Sequence, residues 1–184
     1  MRGCFTQGVR RLATALALLA ALAMPAAQAA DAATVVVVVR HAEKAADGGR
    51  DPALTAAGRA RAAALAETLA SMRVSHVYAT PYRRTRDTAA PTAAARGLTV
   101  DVRAIPGGDV DAYVRALRAD ILAHHRGETV LVVGHSNTMP QTVAALCGCA
   151  AAPMEEREYD RLSVVVLDGG SARLAVARYG APSP

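Results

Sequence analysis

The chain has 184 residues, 52% of them hydrophobic and 20% charged, and carries a formal net charge of +5. This length allows one domain with a full-sized hydrophobic core. The excess of basic residues does not predict nucleic-acid binding, because the sequence has no basic stripe with interleaved aromatic side chains.

Residues 1–29 have the layout of a secretory signal peptide. A basic start precedes an apolar run over residues 12–24, and small residues end the segment at Ala29. The apolar run is short for a membrane span, although an uncleaved anchor helix is the alternative. We therefore expect cleavage near Ala29, a periplasmic or secreted protein without a stable membrane anchor, and a single domain over residues 30–184.

The leader also accounts for most of the excess charge. It holds three basic residues and no acidic one, so basic and acidic side chains nearly balance in the rest of the chain. An anionic substrate could still be bound by a local cluster of arginines.

The first element after the leader is a run of five valines, residues 35–39, that ends abruptly at Arg40 and His41. Apolar β-branched residues without a polar interruption predict a strand buried on both faces, as in a parallel sheet covered by helices. In open α/β sheets ligands bind just beyond the carboxyl ends of the strands. Arg40 and His41 therefore follow the strand where a ligand is expected.

A helix and a second strand come next. Thr55 is the predicted N-cap of the helix, and apolar residues three or four positions apart predict one buried face. These apolar residues are Ala62, Leu65, Leu69 and Met72. Residues 74–79 predict the second strand, and Thr80 followed by Pro81 predicts a helix that begins with a capping hydroxyl.

The middle of the chain continues this alternation. Residues 98–102 predict a short third strand, and apolar spacing predicts an amphipathic helix between Val110 and Gly127. Residues 129–133 are apolar throughout and predict a fourth buried strand, which stops at Gly134-His135-Ser136-Asn137.

The last third predicts a helix from about Pro140 to Cys147 and then a hairpin. Residues 162–167 and 173–178 form its two strands, at the edge of the sheet. Strands that alternate with helices imply a three-layer α/β/α fold. We expect a mostly parallel central sheet with an antiparallel edge hairpin near the C-terminus.

Polar side chains follow three of the predicted strands. The first strand ends at Arg40 and His41, the second at Thr80 with Arg84 in the next helix, and the fourth at His135. If these strands are parallel neighbours, the side chains meet at one edge of the sheet. Guanidinium groups and helix N-termini bind phosphate, and a neutral imidazole can act as a nucleophile. A metal site is the competing interpretation, but the arginines would repel a cation.

Four motifs, in the same order, resemble those of the histidine phosphatase superfamily, which includes the phosphoglycerate mutases. They are VRHAEK at residues 39–44, LTxxGxxRA at 54–62, TPYRRTxxTA at 80–89 and VGHS at 133–136. Residues 158–162, EYDRL, also resemble sequences in small exported members of that superfamily. The resemblance implies a phosphoglycerate mutase-like fold.

The resemblance also implies roles for individual residues. His41 would be the nucleophile and become phosphohistidine, Arg40 and Arg84 would clamp the phosphoryl oxygens, and His135 would stabilise the transferred group from the opposite side. Neither a metal nor a cofactor is implied. Further substrate contacts are expected from residues after the strand ends, namely Thr80, Ser136 and Asn137.

The general acid is less well defined. Asp109 is the first choice and Asp111 the second, because the superfamily places a carboxylate after the short third strand, although both could instead be N-caps of the following helix. Glu43 is expected to orient the loop of the nucleophile. Ser136 replaces an aspartate of the acid-phosphatase and phytase branch, which argues against membership in that branch.

Cys147 and Cys149 are the two cysteines outside the leader. A Cys-x-Cys pair is a poor candidate for an unstrained disulfide, although it could oxidise or bind a soft metal in an oxidising compartment. The favoured interpretation is two small buried side chains at a helix end.

Together these patterns predict an exported phosphatase that hydrolyses a phosphomonoester through a phosphohistidine on His41, without metal. The expected substrate is a small phosphorylated molecule or a phosphorylated envelope glycan, with no nucleic acid as partner. Mutase activity is less favoured, because the chain lacks the extra segments that exclude water. Two alternatives stay open: a catalytically silent phosphate- or glycan-binding module of the same fold, and a periplasmic metal-binding protein that uses Cys147 and Cys149 with the histidines.

Overall fold

The structure is a computed structural model that describes residues 32–46 and 49–183. The predicted signal peptide lies outside these residues, so its extent and its cleavage site stay predictions. Within the described residues, no helix has the length and apolar character that a membrane crossing requires.

Strands and helices alternate along the described chain. The strands are β1 (Thr34–Arg40), β2 (Val74–Ala79), β3 (Asp101–Val102), β4 (Thr129–Gly134), β5 (Arg161–Asp168) and β6 (Ser171–Arg178). The helices are α1 (Ala56–Thr68), α2 (Arg83–Ala94), α3 (Val110–His124) and α4 (Thr138–Cys147), with a 3-10 turn at Pro106–Gly108.

The strands form one mixed sheet in the order β3-β2-β4-β1-β5-β6. The first four strands of that order are parallel, whereas β5 and β6 pair antiparallel as an edge hairpin. The predicted fold class is therefore confirmed, and β2, β4 and β1 are neighbours, as the convergence of their ends requires.

Both faces of the sheet are covered by helices. Val36 and Val38 pack in one core cluster with residues of α3 and α4, whereas Val37 and Val39 pack in a second cluster with residues of α1 and α2. Each of these four valines is at most 1% exposed. Burying one such side chain contributes about 1.5 to 3 kcal/mol. The valine run is thus explained by a strand that needs apolar side chains on both faces.

The starts of α1 and α2 differ from each other in their caps. Thr55 caps α1 as predicted, because its hydroxyl accepts from the backbone N–H of Gly58 at 3.0 Å. The predicted cap at Thr80 is wrong: α2 begins at Arg83, and its N-cap residue Tyr82 makes no side-chain cap bond. The hydroxyl of Thr80 is fully buried and bonds elsewhere, so it cannot serve the helix end.

The third strand is shorter than its predicted range of 98–102. Among the described strands it pairs with β2 alone, at Tyr78↔Asp101 and Ala79↔Val102. Leu98 and Val100 pack against the core without joining the ladder, so apolar character alone overestimated the strand.

Cys147 and Cys149 form a disulfide, with their Cα atoms 5.1 Å apart. The favoured interpretation of two small buried side chains is wrong, since Cys149 is exposed. Gly148 ends α4 with a φ of 63°, a left-handed conformation that glycine adopts without strain and that turns the chain back on itself. This turn brings the two sulfurs together.

Helix α1 approaches the loop after β1 closely at Gly58. A Cβ atom at this position would lie 2.2 Å from the carbonyl oxygen of Glu43, which already accepts the N–H of Thr55 at 2.9 Å. Because that acceptor belongs to the backbone, it cannot move aside without breaking the bond to Thr55. Glycine at 58 therefore permits the contact between α1 and the loop that carries His41.

We expect Gly58→Ala to destabilise the protein by about 1 to 3 kcal/mol, because the steric overlap outweighs the gain of about 1 kcal/mol in helix propensity. Thermal or urea unfolding measures the change. Ala57→Ser, at the exposed neighbouring position, is the control and should change stability by less than about 0.5 kcal/mol. A Gly58→Ala protein as stable as the wild type would contradict the close contact.

Candidate active site

The carboxyl ends of β1, β4 and β2 meet at one edge of the sheet, and two histidines meet there. The ring centroids of His41 and His135 lie 5.4 Å apart. Their side chains are 3% and 9% exposed respectively. The structure therefore brings together the two imidazoles that the strand pattern placed at this edge.

The ring of His41 is held in one tautomer. Its Nδ1 lies 2.8 Å from the carbonyl oxygen of Ala42, and a carbonyl can only accept a hydrogen bond. Nδ1 therefore carries the proton, and Nε2 keeps its lone pair. The backbone N–H of His41 donates to the carbonyl of Gly134 at the end of β4, at 2.9 Å, which ties the residue to the neighbouring strand.

Two side chains from the helices hold the loop that follows His41. The hydroxyl of Thr88 in α2 accepts from the backbone N–H of Ala42 at 2.9 Å. The guanidinium of Arg61 in α1 donates to both carboxylate oxygens of Glu43, at 2.7 to 3.0 Å, and to the carbonyl of Tyr179. Glu43 thus orients the loop, as the sequence predicts, through a partner that the sequence did not identify.

The ring of His135 is oriented by a threonine. Its Nε2 lies 2.9 Å from the hydroxyl oxygen of Thr80, which in turn lies 2.9 Å from the hydroxyl of Thr85. The ring of Tyr82 meets His135 edge-on at 5.3 Å. Because Thr80 is fully buried against these partners, its visible role is to fix His135, and direct contact with a substrate stays a prediction.

Both histidines are neutral at physiological pH. Burial, with smaller contributions from the charges of Arg40 and Arg84, lowers the pKa of His41 from 6.5 to about 3. Burial and then the charge of Arg84 lower the pKa of His135 from 6.5 to about 4. At neutral pH both imidazoles are therefore uncharged, and Nε2 of His41 keeps an unprotonated lone pair.

These lowered pKa values also set the sign of the pH dependence of stability. The unfolded chain protonates both histidines below pH 6.5, whereas the folded chain resists protonation until much lower pH. The free energy of unfolding therefore falls as the pH drops below 6.5, by up to about 1.4 kcal/mol per pH unit for each histidine.

Two guanidinium groups border the histidines and differ in their partners. Arg84 lies with its central carbon 4.2 Å from the ring centroid of Tyr82, and its buried Nε has no hydrogen-bond partner among the described residues. Arg40 is 1% exposed, and its Nε is likewise unpaired within the described part of the chain. Buried donors without partners are rare in folded proteins, so both point to an anionic ligand.

The segment before β5 supplies the other partners of Arg40, which the sequence did not predict. Nη1 of Arg40 donates to the carbonyls of Glu155 and Glu156, at 3.0 and 2.6 Å. Nη2 donates to the carboxylate of Glu156 at 2.9 Å, and the ring of Tyr159 lies 4.4 Å from the guanidinium carbon. The only sequence signal was the resemblance over residues 158–162, which does not include Glu156.

Ser136 and Asn137 follow His135 directly. The hydroxyl of Ser136 donates to the carboxylate of Glu156 at 2.5 Å. Asn137 is exposed at the start of α4 and makes no side-chain cap bond. Both residues lie beside His135 in the chain, and their predicted contacts with a substrate stay predictions.

The predicted general acids are tied to a helix end. The carboxylate of Asp109 accepts from the backbone N–H of Ala112 at 2.9 Å and so caps α3. Asp111 lies in the first turn of the same helix and is exposed. Among the described residues, neither carboxylate has a recorded contact with His41 or His135, so the acid role of Asp109 stays a prediction.

The cysteines lie away from this site. Cys147 lines a cavity of about 650 Å³ together with Thr34, at the amino end of β1, whereas His41 follows the carboxyl end of that strand. In the described part of the chain, no group of three or more histidine, cysteine, aspartate or glutamate side chains is arranged to hold a metal ion.

The chain matches the model of the histidine phosphatase superfamily (branch 1) over residues 36–105 and 106–182. These matched residues cover most of the chain and include both histidines and both site arginines. The chain therefore belongs to the histidine phosphatase superfamily. A comparison with curated proteins gave no match.

Several solved structures share the fold. The protein histidine phosphatase SixA, complexed with tungstate, is 25% identical, with coverage of 78% of this chain and 96% of SixA and a TM-score of 0.60. A mycobacterial glucosyl-3-phosphoglycerate phosphatase is 20% identical, with coverage of 81% and 99% and a TM-score of 0.61. A mycobacterial protein described as hydrolase 2 is 19% identical, with coverage of 83% and 92% and a TM-score of 0.63.

We expect the ring signals of His41 and His135 not to titrate between pH 5 and 8, because burial holds both pKa values at or below about 4. Proton NMR of the imidazole C2–H signals checks this, with assignment by the signals lost in His41→Gln and His135→Gln. A midpoint near 6.5 for either buried ring would show that the site is open and hydrated.

Proposed function

We propose that the protein is an exported phosphatase that hydrolyses a phosphomonoester through a phosphohistidine on His41, without a metal. The observation that carries this proposal is the neutral, tautomer-fixed ring of His41, 5.4 Å from His135 and bordered by two guanidinium groups. Membership in the histidine phosphatase superfamily supports it.

In the first step, the lone pair on Nε2 of His41 attacks the phosphorus, the bond to the ester oxygen breaks, and the alcohol leaves with a proton. Arg84 and Arg40 hold the phosphoryl oxygens and stabilise the charge that develops on them. When the hydroxyl of Thr80 donates to Nε2 of His135, the proton of the ring lies on Nδ1. Nδ1 can then donate a hydrogen bond to the phosphoryl group.

In the second step, water attacks the phosphorus of phosphohistidine, phosphate leaves, and His41 is neutral again. Tyr82, beside His135, is 42% exposed, so water can reach the rim of the site. This access favours hydrolysis over transfer to a second substrate.

Metal independence follows from charge. Two guanidinium groups repel a cation, and an anion that they hold needs no metal to neutralise it. The proposed substrates are a small phosphorylated molecule or a phosphorylated envelope glycan. The similar fold of SixA, a protein histidine phosphatase whose structure was solved with tungstate, adds phosphohistidine peptides to the compounds worth testing.

We expect the purified protein to release phosphate from at least one compound in a panel of sugar, glycerol, aryl and peptide phosphates. His41→Ala should lower kcat/KM by at least about 10³-fold, because the nucleophile is lost. Activity should persist in a metal chelator, and phosphate should be trapped on His41 after a quench that avoids acid.

Arg84→Ala should lower kcat/KM by about 10² to 10³-fold, whereas Arg83→Ala, at the exposed neighbouring position, should have little effect. A wild-type protein indistinguishable from His41→Ala across the whole panel would rule out the proposed enzyme and favour a silent binding module.

The proposal of export rests on the composition of residues 1–29. We expect the protein expressed with its own leader to lose that leader and to be found outside the cytoplasm, with a new N-terminus near Ala30. Cell fractionation and N-terminal sequencing check this. Replacing both Arg10 and Arg11 with leucine should reduce export, because the basic start of the leader is lost. An intact leader on a cytoplasmic protein would contradict the proposal.

A further inference from the structure

The carboxylate of Glu156 bridges two groups of the site. One oxygen accepts from Nη2 of Arg40 at 2.9 Å, and the other accepts from the hydroxyl of Ser136 at 2.5 Å. Arg40 is buried, whereas the side chain of Glu156 is 80% exposed. An exposed carboxylate at the rim therefore pairs with a buried cation.

The carboxylate of Glu156 contacts Arg40 in the way that a bound anionic ligand would. A phosphoryl group bound at two points by Arg40 would use the unpaired Nε together with Nη2, and Nη2 is the donor that Glu156 now uses. Two anions beside one guanidinium group repel each other. Arg84 has no such carboxylate partner among the described residues. A phosphoryl group bound in this way competes with the carboxylate of Glu156 for Arg40.

The proposed reaction also needs a proton donor for the ester oxygen. His41 is the nucleophile, and the low pKa values of both histidines make each a neutral imidazole at neutral pH, which gives up its one ring proton far less readily than an imidazolium would. The carboxylate of Glu43 is held by Arg61, and that of Asp109 caps α3. Among the described residues, Glu156 is the one whose carboxylate bonds to Arg40.

We propose that Glu156 is a catalytic residue: the phosphoryl group displaces its carboxylate from Arg40 and Ser136, and the displaced side chain then protonates the leaving oxygen. This inference rests on the proposed phosphatase function and adds the residue that completes its first step. It assigns the acid role to Glu156 in place of Asp109.

Displacement from Arg40 changes the pKa of Glu156 in the direction that a proton donor requires. In the structure, the bond from Ser136 and the charge of Arg40 lower the pKa of Glu156. Displacement removes both and places the side chain beside a dianionic phosphoryl group, which raises the pKa of a carboxyl. Substrate binding therefore favours uptake of a proton by Glu156 at the moment when an acid is required.

The proton count closes over one turnover. The substrate binds, and Glu156 takes one proton from water. As Nε2 of His41 bonds to phosphorus and the ester bond breaks, Glu156 gives that proton to the alcohol. Water then attacks the phosphorus of phosphohistidine, and both of its protons leave with the phosphate. The carboxylate of Glu156 returns to Arg40 when phosphate leaves.

The test compares two phosphate esters in Glu156→Gln, a substitution that keeps the shape and removes the charge. Hydrolysis of glycerol phosphate, whose alkoxide needs protonation, should fall by about 10² to 10⁴-fold. Hydrolysis of p-nitrophenyl phosphate, whose leaving group needs no proton, should be unchanged or faster. Inorganic phosphate should inhibit the variant at lower concentration than the wild type, because no carboxylate competes for Arg40.

Glu155→Gln, the same change at the exposed neighbouring residue, is the matched control, and Asp109→Asn tests the alternative acid. Both should retain wild-type selectivity between the two esters. Full turnover of p-nitrophenyl phosphate by Glu156→Gln shows that the variant is folded.

The outcomes separate this inference from the proposed function. Equal losses on both esters, weaker inhibition by phosphate, or a selective loss of glycerol phosphate hydrolysis in Asp109→Asn would overturn the role of Glu156 and leave the phosphatase intact. A wild-type protein that hydrolyses neither these esters nor any other in the panel would overturn the proposed function, and this inference with it.

Discussion

The parallel pairing of β1 with β4 is the constraint on which the site depends. The two strands pair residue for residue from Val35↔Thr129 to Arg40↔Gly134, and the N–H of His41 continues the pattern by donating to Gly134. A slip of one residue would turn the side chains of β1 to the opposite faces of the sheet. The separation of the two imidazoles is therefore set by backbone hydrogen bonds rather than by the histidines themselves.

Burial of this edge then sets its chemistry. Both imidazoles lie out of water beside cationic guanidinium groups, and for that reason both are held neutral. The charge of Arg40 is compensated by backbone carbonyls, by the face of Tyr159 and by the carboxylate of Glu156. The first two partners are part of the scaffold, whereas the carboxylate belongs to an exposed side chain. This contrast is the basis of the proposal that a phosphoryl group displaces Glu156 from Arg40.

Some predictions from sequence were confirmed and others were wrong, and the difference has a physical reason. Those that rest on local periodicity were confirmed, such as the buried valine strand, the cap at Thr55 and the edge hairpin. The cap at Thr80 was wrong because its hydroxyl lies next to His135, which is 55 residues away along the chain. The cysteine prediction was wrong because a single left-handed glycine, Gly148, decided how the chain turned.

The sequence by itself determined the α/β alternation, the strand ends that carry Arg40, His41 and His135, and the motifs that indicate the superfamily, because each depends on neighbours within a few residues. Only the tertiary structure decided which nitrogen of His41 is free, which side chains hold its loop, and that Glu156 reaches Arg40. Residues 40 and 156 are separated by 116 positions, and no local pattern encodes a contact over that distance. Such contacts arise from the packing of the whole sheet, which gives an otherwise unremarkable glutamate its place at the site.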